Sequence, residues 1–351
     1  LGIAYYNIDN TQEAIKQYNV LIKEFPSSPQ AAEALENAKL LYLEDGKIDD
    51  YQHFLESAGK SISSVEKDSL TYRYIQNAYA IDPSAAILGT LESYISQYPS
   101  GLYISNVLAL KAEVQLKSKA FAAAAKTFEE IASKGAGPLQ EKSIINAAKL
   151  YFIDLKDYTS AVRSYQKLVE VTNNPSLQLE GYRGVVRSLY ALQSYEQSAD
   201  WVNKLMSNPT AVKEDSALSY LMLGYVWQAK KDYQQSSSYF RSSALISSNT
   251  LASEAWYQIA NNLFLSNQFV DAEKEAIHAI EEGGSNEKWI TRAYMLLADL
   301  FIVQKDYFNA KATLKSVIEH CSIASLRNEA TEKLKIAEAE EKSSNKKSEK
   351  K

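Results

Sequence analysis

The sequence predicts an all-α fold, a right-handed superhelical solenoid of about nine helix hairpins closed by a C-terminal capping helix. Three observations carry this expectation. In residues 223–240, LGYVWQAKKDYQQSSSYF, small Gly224 and Ser236 alternate with large Trp227, Tyr233 and Phe240 at helical intervals, on either side of a turn near Lys231-Asp232; this is the pattern of two helices packed face to face. Residues 1–18, LGIAYYNIDNTQEAIKQY, repeat it with Gly2, Tyr5, Ala14 and Tyr18. The composition, 46% apolar and 23% charged with only 12 Gly and 7 Pro in 351 residues, suits long helices around an extended core.

Taken in chain order, the residues expected where the two helices of each hairpin cross are Ala14, Tyr51, Ile87, Ala124, Ala161, Ser198, Ser236, Ala272 and Ala310. Their spacing is 36 to 38 residues throughout, so one unit of about 37 residues recurs along the chain. A close crossing leaves room only for a small side chain, and forcing a larger one into a packed site costs about 1–3 kcal/mol. Tyr51 and Ile87 break that rule, so the second and third hairpins should be irregular and the last six regular. Large residues keep helical spacing around the crossings: Tyr5, Tyr18 and Leu21 in the first hairpin, Phe121, Phe128 and Ile131 in the fourth, Tyr307, Leu314 and Val317 in the ninth. Helix starts are expected at Ser28-Pro29, Pro99-Ser100 and Asn249-Thr250. Ile323, Leu326, Ala330, Leu334 and Ala337 form one narrow apolar stripe, which predicts a single capping helix over 321–341. From about Lys342 apolar residues stop, and 342–351 is expected to be a disordered charged tail. Gly2 stands only one residue into the chain, so the first helix is expected to be truncated and the chain a fragment.

Charge narrows the partners. With 38 Lys and Arg against 43 Asp and Glu, the net charge is −5, which offers no bulk attraction to phosphate backbones, so nucleic acid is not an expected partner. No apolar run approaches the roughly 18 residues of a membrane span. The single cysteine, Cys321, has no internal disulfide partner.

Leu1-Gly2, Tyr5, Ala14, Tyr18 and Pro26, and again Gly224, Trp227, Tyr233 and Phe240, resemble the tetratricopeptide repeat, in which a Leu-Gly pair and an aromatic precede an alanine, an aromatic and a proline. The resemblance extends over residues 1–320, with the glycine slot held by Ala112, Ala260 or Ala298 elsewhere and drifting to Lys149 and Val186. The unit is longer than the usual 34 residues. The Ser28-Pro29 start suggests that the extra residues lengthen first helices by a turn. The links EFPSSPQAAEAL and QYPSGLYISNVLAL are similar to those of tetratricopeptide proteins of the bacterial cell envelope, the outer-membrane assembly lipoproteins and the partners of the Tol system.

These resemblances imply a non-catalytic scaffold that binds a protein or peptide, without a cofactor, in the bacterial periplasm or at the outer membrane. The alternatives are the helical-repeat arm of a larger enzyme or sensor, or a cytoplasmic peptide-binding regulator. In this family the first helices line the concave face, and the residues there that the repeat does not require are the binding candidates: Arg183, Arg187 and Tyr190; Tyr225 and Gln228; Tyr257, Asn261 and Phe264; Arg292, Met295 and Asp299. Arg183 and Arg187 share a helical face and, with neighbouring aromatics, supply the residue types that dominate binding energy; a solvated arginine pair beside packing aromatics is the competing reading. The lysine-asparagine clamp that some members use for chaperone C-termini is not found.

Other motifs have plainer explanations. His53, His278 and His320 lie in separate hairpins, and Asp49 with His53 or Glu275 with His278 offers at most two ligands where a closed metal site needs four, so no metal is expected. Gly135-Ala-Gly137 and Gly283-Gly284 follow no strand, as a phosphate-binding loop would, and are expected to be turns between hairpins. Cys321 is expected to act as a small apolar residue at the last packed turn.

Overall fold

The computed structural model describes residues 1–248 and 250–348, and within them the secondary structure is helical. The chain divides into two compact units, at residues 1–157 and from residue 158 onward.

In the first unit the helices are α1 (Gly2–Tyr6), α2 (Thr11–Glu24), α3 (Pro29–Glu44), α4 (Ile48–Ser57), α5 (Ser64–Ile81), α6 (Leu88–Gln97), α7 (Ile104–Lys117), α8 (Phe121–Lys134) and α9 (Pro138–Lys149), the last followed by a wide turn at Leu150–Asp154. The start at Ser28-Pro29 is as expected: the Ser28 hydroxyl accepts from the Ala31 N–H at 3.0 Å and Pro29 opens the first turn. The one at Pro99-Ser100 is displaced to Ile104. Asp68, buried on α5, accepts hydrogen bonds from the Tyr94 hydroxyl and from the Leu102 N–H, so the backbone after Pro99 is held by that carboxylate instead of winding into a helix. Only glycine fits at 101, where a Cβ would lie 2.9 Å from Asp68 Oδ2. This is how the third hairpin departs from the repeat: α6 begins through a 3₁₀ turn at Ala85–Ile87. Tyr51 and Ile87 are accommodated buried, with Tyr51 packed beside Tyr42 and Phe54.

The second unit contains α10 (Tyr158–Val171), α11 (Pro175–Ala191), α12 (Ala199–Met206), α13 (Lys213–Ala229), α14 (Tyr233–Ile246), α15 (Thr250–Leu265), α16 (Phe269–Glu281), α17 (Glu287–Val303), α18 (Tyr307–His320) and α19 (Ala324–Ser348). Its first helices α11, α13, α15 and α17 have 16 or 17 residues and its second helices α12, α14, α16 and α18 have 8 to 14. Ser198, Ser236, Ala272 and Ala310 are fully buried at the crossings. Gly224 lies under the Phe240 ring, where a Cβ would come within 2.4 Å, and Ser236 Oγ donates to the Gly224 carbonyl at 2.8 Å. Burying a ring such as Phe240 contributes about 1.5–3 kcal/mol, and that close approach depends on the glycine.

Two sequence expectations need correction here. The sixth hairpin is not regular: α12 starts through a 3₁₀ turn at Glu196–Ser198 and spans 8 residues. It stops before Pro209, which disfavours helix at Asn208, and Asn208 Oδ1 instead accepts from the Thr210 N–H in a local turn. Val186, in the glycine slot of that hairpin, is fully buried, while Gly184 packs under the Tyr165 ring of α10 in the preceding hairpin. The C-terminal helix does not stop at 341 but continues to Ser348. Its Glu- and Lys-rich turns have strong helix propensity, and Lys311 of α18 holds Glu341 at 2.6 Å. Residues 349–351 of the expected tail, and Asn249 of the expected helix start, lie outside the described residues.

The sequence reading placed the turn of the seventh hairpin near Lys231-Asp232 but missed the backbone conformation that the hairpin turns share. Five residues before the crossing residue, the backbone is left-handed in eight of the nine hairpins, at Asp9, Gly46, Lys119, Lys156, Gln193, Lys231, Asn267 and Lys305, with φ between 52° and 69°. At Lys231 the following N–H, of Asp232, reaches back to the Trp227 carbonyl at 3.1 Å, and the Asp232 side chain then caps α14 through the Gln235 N–H. Gly137 and Gly284 also have positive φ, as turns between hairpins require.

Candidate functional site

All of the candidate binding residues fall in the second unit, and the structure separates them into three groups.

The first is a polar row running across α11, α13 and α15. Its centre is Glu254 of α15, only 2% exposed. Tyr190 of α11 and Tyr225 of α13 both donate their hydroxyls to this one carboxylate. Tyr195, after α11, stacks on Tyr225 at 4.2 Å with an interplanar angle of 11°. From Tyr225 the row continues through Gln258, whose amide donates to the Tyr225 hydroxyl at 3.0 Å. Gln228 donates to Gln258 Oε1 at 3.0 Å and to Asn262 Oδ1 at 2.8 Å, and Asn261 donates to the same Gln258 oxygen at 3.2 Å. Asn262 closes it by donating to Ser236 and Ser237. Burial pushes the Glu254 carboxyl above its usual range, against the opposing effect of its two tyrosine donors. Burial and the nearby Glu254 charge raise Tyr190 and Tyr225, and Tyr195 is pushed up to about 12 for the same two reasons.

The second group is the arginine pair. Arg183 is not solvated: its guanidinium grips Asp215 of α13 with Nε at 2.8 and 2.9 Å and Nη2 at 2.7 Å. Asp215 is 3% exposed and also accepts from the Val212 N–H at 2.9 Å. Burial raises the Asp215 carboxyl, but the Arg183 hydrogen bonds, the Val212 N–H and the charges of Arg183 and Arg187 outweigh it and leave it below the usual carboxylate range. The two arginines therefore do different jobs. Arg187, one turn further along, is exposed and makes no hydrogen bond or ion pair among the described residues.

The third group belongs to the C-terminal helix. Arg292 of α17 lies 3.7 Å from Glu329 of α19, and Asp299 takes Lys333 of α19 at 2.7 Å. Met295 is buried in the core that α17 and α18 share with Leu326, Ala330 and Ala337. These residues are engaged with the C-terminal helix. Burial raises Asp299, with Lys333 opposing it. Tyr257 packs on Trp289 at 5.4 Å, and Phe264 packs edge-on against Phe269; burial raises Tyr257 while the charge of Arg292 and its hydrogen bond lower it.

The histidine pairs are taken up elsewhere. Asp49 binds Lys67 at 2.5 Å, Glu275 binds Arg241 at 3.1 Å, and His278 packs edge-on against Trp256. Among the described residues no three His, Cys, Asp or Glu side chains are grouped to hold a metal ion. Cys321 is buried in the core beneath α19.

The hairpin recurs with its small crossing residue, and residues 1–28 match the tetratricopeptide repeat family. The chain's first hairpin is thus a tetratricopeptide repeat. Among solved structures the chain is similar to a signal transduction ATPase with numerous domains that carries a tetratricopeptide repeat sensor, from Pyrococcus horikoshii, with a TM-score of 0.51 and 15% identity over 92% of this chain and 52% of that one. The chain thus spans about half the length of that protein. It is also similar to a tetratricopeptide repeat protein from Parabacteroides merdae (TM-score 0.39, 16% identity, 78% of this chain and 98% of that one) and to the tetratricopeptide repeat domain of P58(IPK) (TM-score 0.38, 13% identity, 98% and 97%). At these identities the likeness is one of fold.

The residues that sequence reasoning overlooked are Glu254, Gln258, Asn262, Tyr195 and Asp215. One signal was available. Glu254 stands inside TLASEAWYQIANNLFL, next to Ala255 and Trp256 on an otherwise apolar stretch, and a carboxylate in such a place calls for buried donors.

Proposed function

We propose that this protein is a scaffold for protein–protein interaction, and that its polypeptide partner docks on the side chains of α11, α13 and α15. The observation that carries this is the Tyr190–Glu254–Tyr225–Gln258–Gln228 row, in which first helices of three successive hairpins are joined by side-chain hydrogen bonds. Groups fixed in this way bear little ordering cost when a partner arrives. Around them Arg187 is exposed, and Gln228, Tyr257 and Asn261 are half-buried, so each can meet a peptide with part of its surface. Arg183, Arg292 and Asp299 act in this reading as supports for neighbouring helices, not as contacts.

The test is capture of partner by the intact protein and by Arg187→Glu and Asn261→Ala variants. Partner recovery should fall at least tenfold in both with the melting temperature unchanged, while Ser238→Glu on exposed α14 should leave it intact. Equal recovery by all variants would remove this face from the site.

The place of action proposed is the bacterial periplasm or outer membrane. It rests on the resemblance of the Phe25-Pro26 and Tyr98-Pro99 links and of the long repeat to envelope members of the family. Among the described residues no helix is long and apolar enough to cross a membrane. Fractionation of cells producing the protein from its native gene tests this, and recovery in the cytosol alone would favour the regulator alternative.

A further inference from the structure

The first helices of the last four hairpins each carry an aromatic residue sixteen positions before the crossing residue: Tyr182, Tyr220, Trp256 and Tyr294. The first three meet a ring from the second helix of their own hairpin. Tyr182 faces Trp201 at 6.2 Å between centroids, Tyr220 faces Tyr239 at 6.3 Å, and Trp256 meets His278 edge-on at 4.5 Å. In the eighth hairpin the ring is also roofed. Arg241 of α14 lies over Trp256, 5.6 Å from the ring centroid, and is tied to Glu275 of α16 at 3.1 Å. Trp256 is accordingly 8% exposed.

In the ninth hairpin the aromatic is kept and its cover is lost. The repeat position of Trp201 and Tyr239 is Thr313, that of His278 is Ser316, and that of Arg241 is Ile277. Tyr294 is 40% exposed. Beside it, between α17 and α18, opens a cleft of about 690 Å³ lined by Ile290, Thr291, Thr313, Ser316 and Val317, a size typical of ligand pockets. Val317 and Thr291 are buried in its floor, whereas Ser316 is exposed and Thr313 half-exposed at its mouth.

We propose that this cleft receives an aromatic side chain of a partner polypeptide, which packs against Tyr294 as the second-helix rings do against Tyr182 and Tyr220. The chemistry is specific to an aromatic guest. The equivalent sites of the three preceding hairpins are each filled by a ring, the platform is itself a ring with a preference for offset or edge-on partners, and Ile290 and Val317 supply apolar walls. The Thr313 and Ser316 hydroxyls can meet an indole N–H or a phenol O–H at the mouth. The cleft is separate from the α11–α13–α15 row and does not depend on partner docking there.

The experiment uses the full chain with labelled Ile and Val methyl groups, titrated with N-acetyltryptophanamide and, as a control, N-acetylleucinamide. Saturable shifts of the Ile290 and Val317 methyls are expected with the tryptophan probe, with at least tenfold weaker binding of the leucine probe. Thr313→Tyr, which restores the ring found in the sixth and seventh hairpins, should lower tryptophan affinity at least tenfold; Ser316→His, which restores that of the eighth, is the second variant should the first disturb folding. Peptides selected from a random library on the wild type and counter-selected on the filled variant should share an aromatic residue whose change to alanine abolishes binding. Equal binding of the two probes, undiminished tryptophan binding by a folded filled variant, or selected peptides without a required aromatic would overturn the proposal. A wild-type dimer that the filled variant dissolves would assign the cleft to a second copy and overturn it equally. Failure of the Arg187 and Asn261 variants to affect partner capture would leave all of these results unchanged.

Discussion

Replacing Arg183 with alanine tests whether this arginine is structural. The substitution removes all three hydrogen bonds from its guanidinium to Asp215 and leaves a carboxylate that is 3% exposed with only the Val212 N–H as a donor. Breaking a buried ion pair by removing one partner costs about 3–5 kcal/mol. The low end, about 3 kcal/mol, applies here because Asp215 keeps one donor and Arg183 is 22% exposed. The chain has four tryptophans, Trp201, Trp227, Trp256 and Trp289, all in the second unit, so urea unfolding followed by tryptophan fluorescence reports on the unit that contains the pair. Arg187→Ala, one turn away and exposed, should change stability by less than about 0.5 kcal/mol. The pH dependence adds a second constraint. The folded Asp215 carboxyl titrates below the ordinary value of 3.8, so its stabilising contribution is present above that value and is lost as pH falls through the folded one. The gap between wild type and Arg183→Ala should therefore be full at pH 7 and narrow below 3.8. A variant within 0.5 kcal/mol of wild type at pH 7, on the surface-substitution scale, or a gap that does not close in acid, would refute the reasoning.

Other outcomes follow from the same geometry. Glu254 has the opposite sign: its folded carboxyl is raised above 4.5, so its contribution is full below that value and is lost as pH rises through the folded one. Glu254→Gln should flatten the decline of stability on that alkaline side, measured by the same fluorescence assay. Lys305→Gly relieves a left-handed residue at φ 63° and should stabilise by about 0.5–1 kcal/mol, because the greater freedom of unfolded glycine offsets part of the gain. Ala310→Leu should cost about 1–3 kcal/mol by overpacking a fully buried crossing, and a stable, cooperatively unfolding variant would undermine the repeat register.

The repeat was legible because it rests on short-range regularity. Each crossing residue from Ala14 to Ala310 is buried, including Tyr51 and Ile87, where size rather than position was unusual. The left-handed turn residues were not legible. Gly46, Asp9 and Asn267 are of types that visit that conformation, but Lys119, Lys156, Gln193, Lys231 and Lys305 are not, so residue type does not announce it. The site was hidden for a different reason. First-helix residues could be assigned to a face by register, but their partners come from other hairpins: Asp215 lies 32 residues after Arg183, and Glu254 lies 64 after Tyr190. A charged or amide side chain looks solvated in sequence, and only the packing of three helices shows that Glu254, Gln258 and Asn262 are interior. The partners of Arg292 and Asp299 were hidden in the same way, since Glu329 and Lys333 are supplied by a helix whose apolar stripe is legible but whose polar contacts are not.

The scaffold reading is tested most directly by site-specific photocrosslinking. Benzoylphenylalanine would replace Arg187, Gln228 or Asn261 on the first helices, or Ser238 on α14, in cells that produce the protein from its native gene. The account predicts one and the same polypeptide crosslinked from positions 187, 228 and 261 and none from 238. Crosslinking from 238 alone, or from none of the first-helix positions while the protein remains folded, would contradict it.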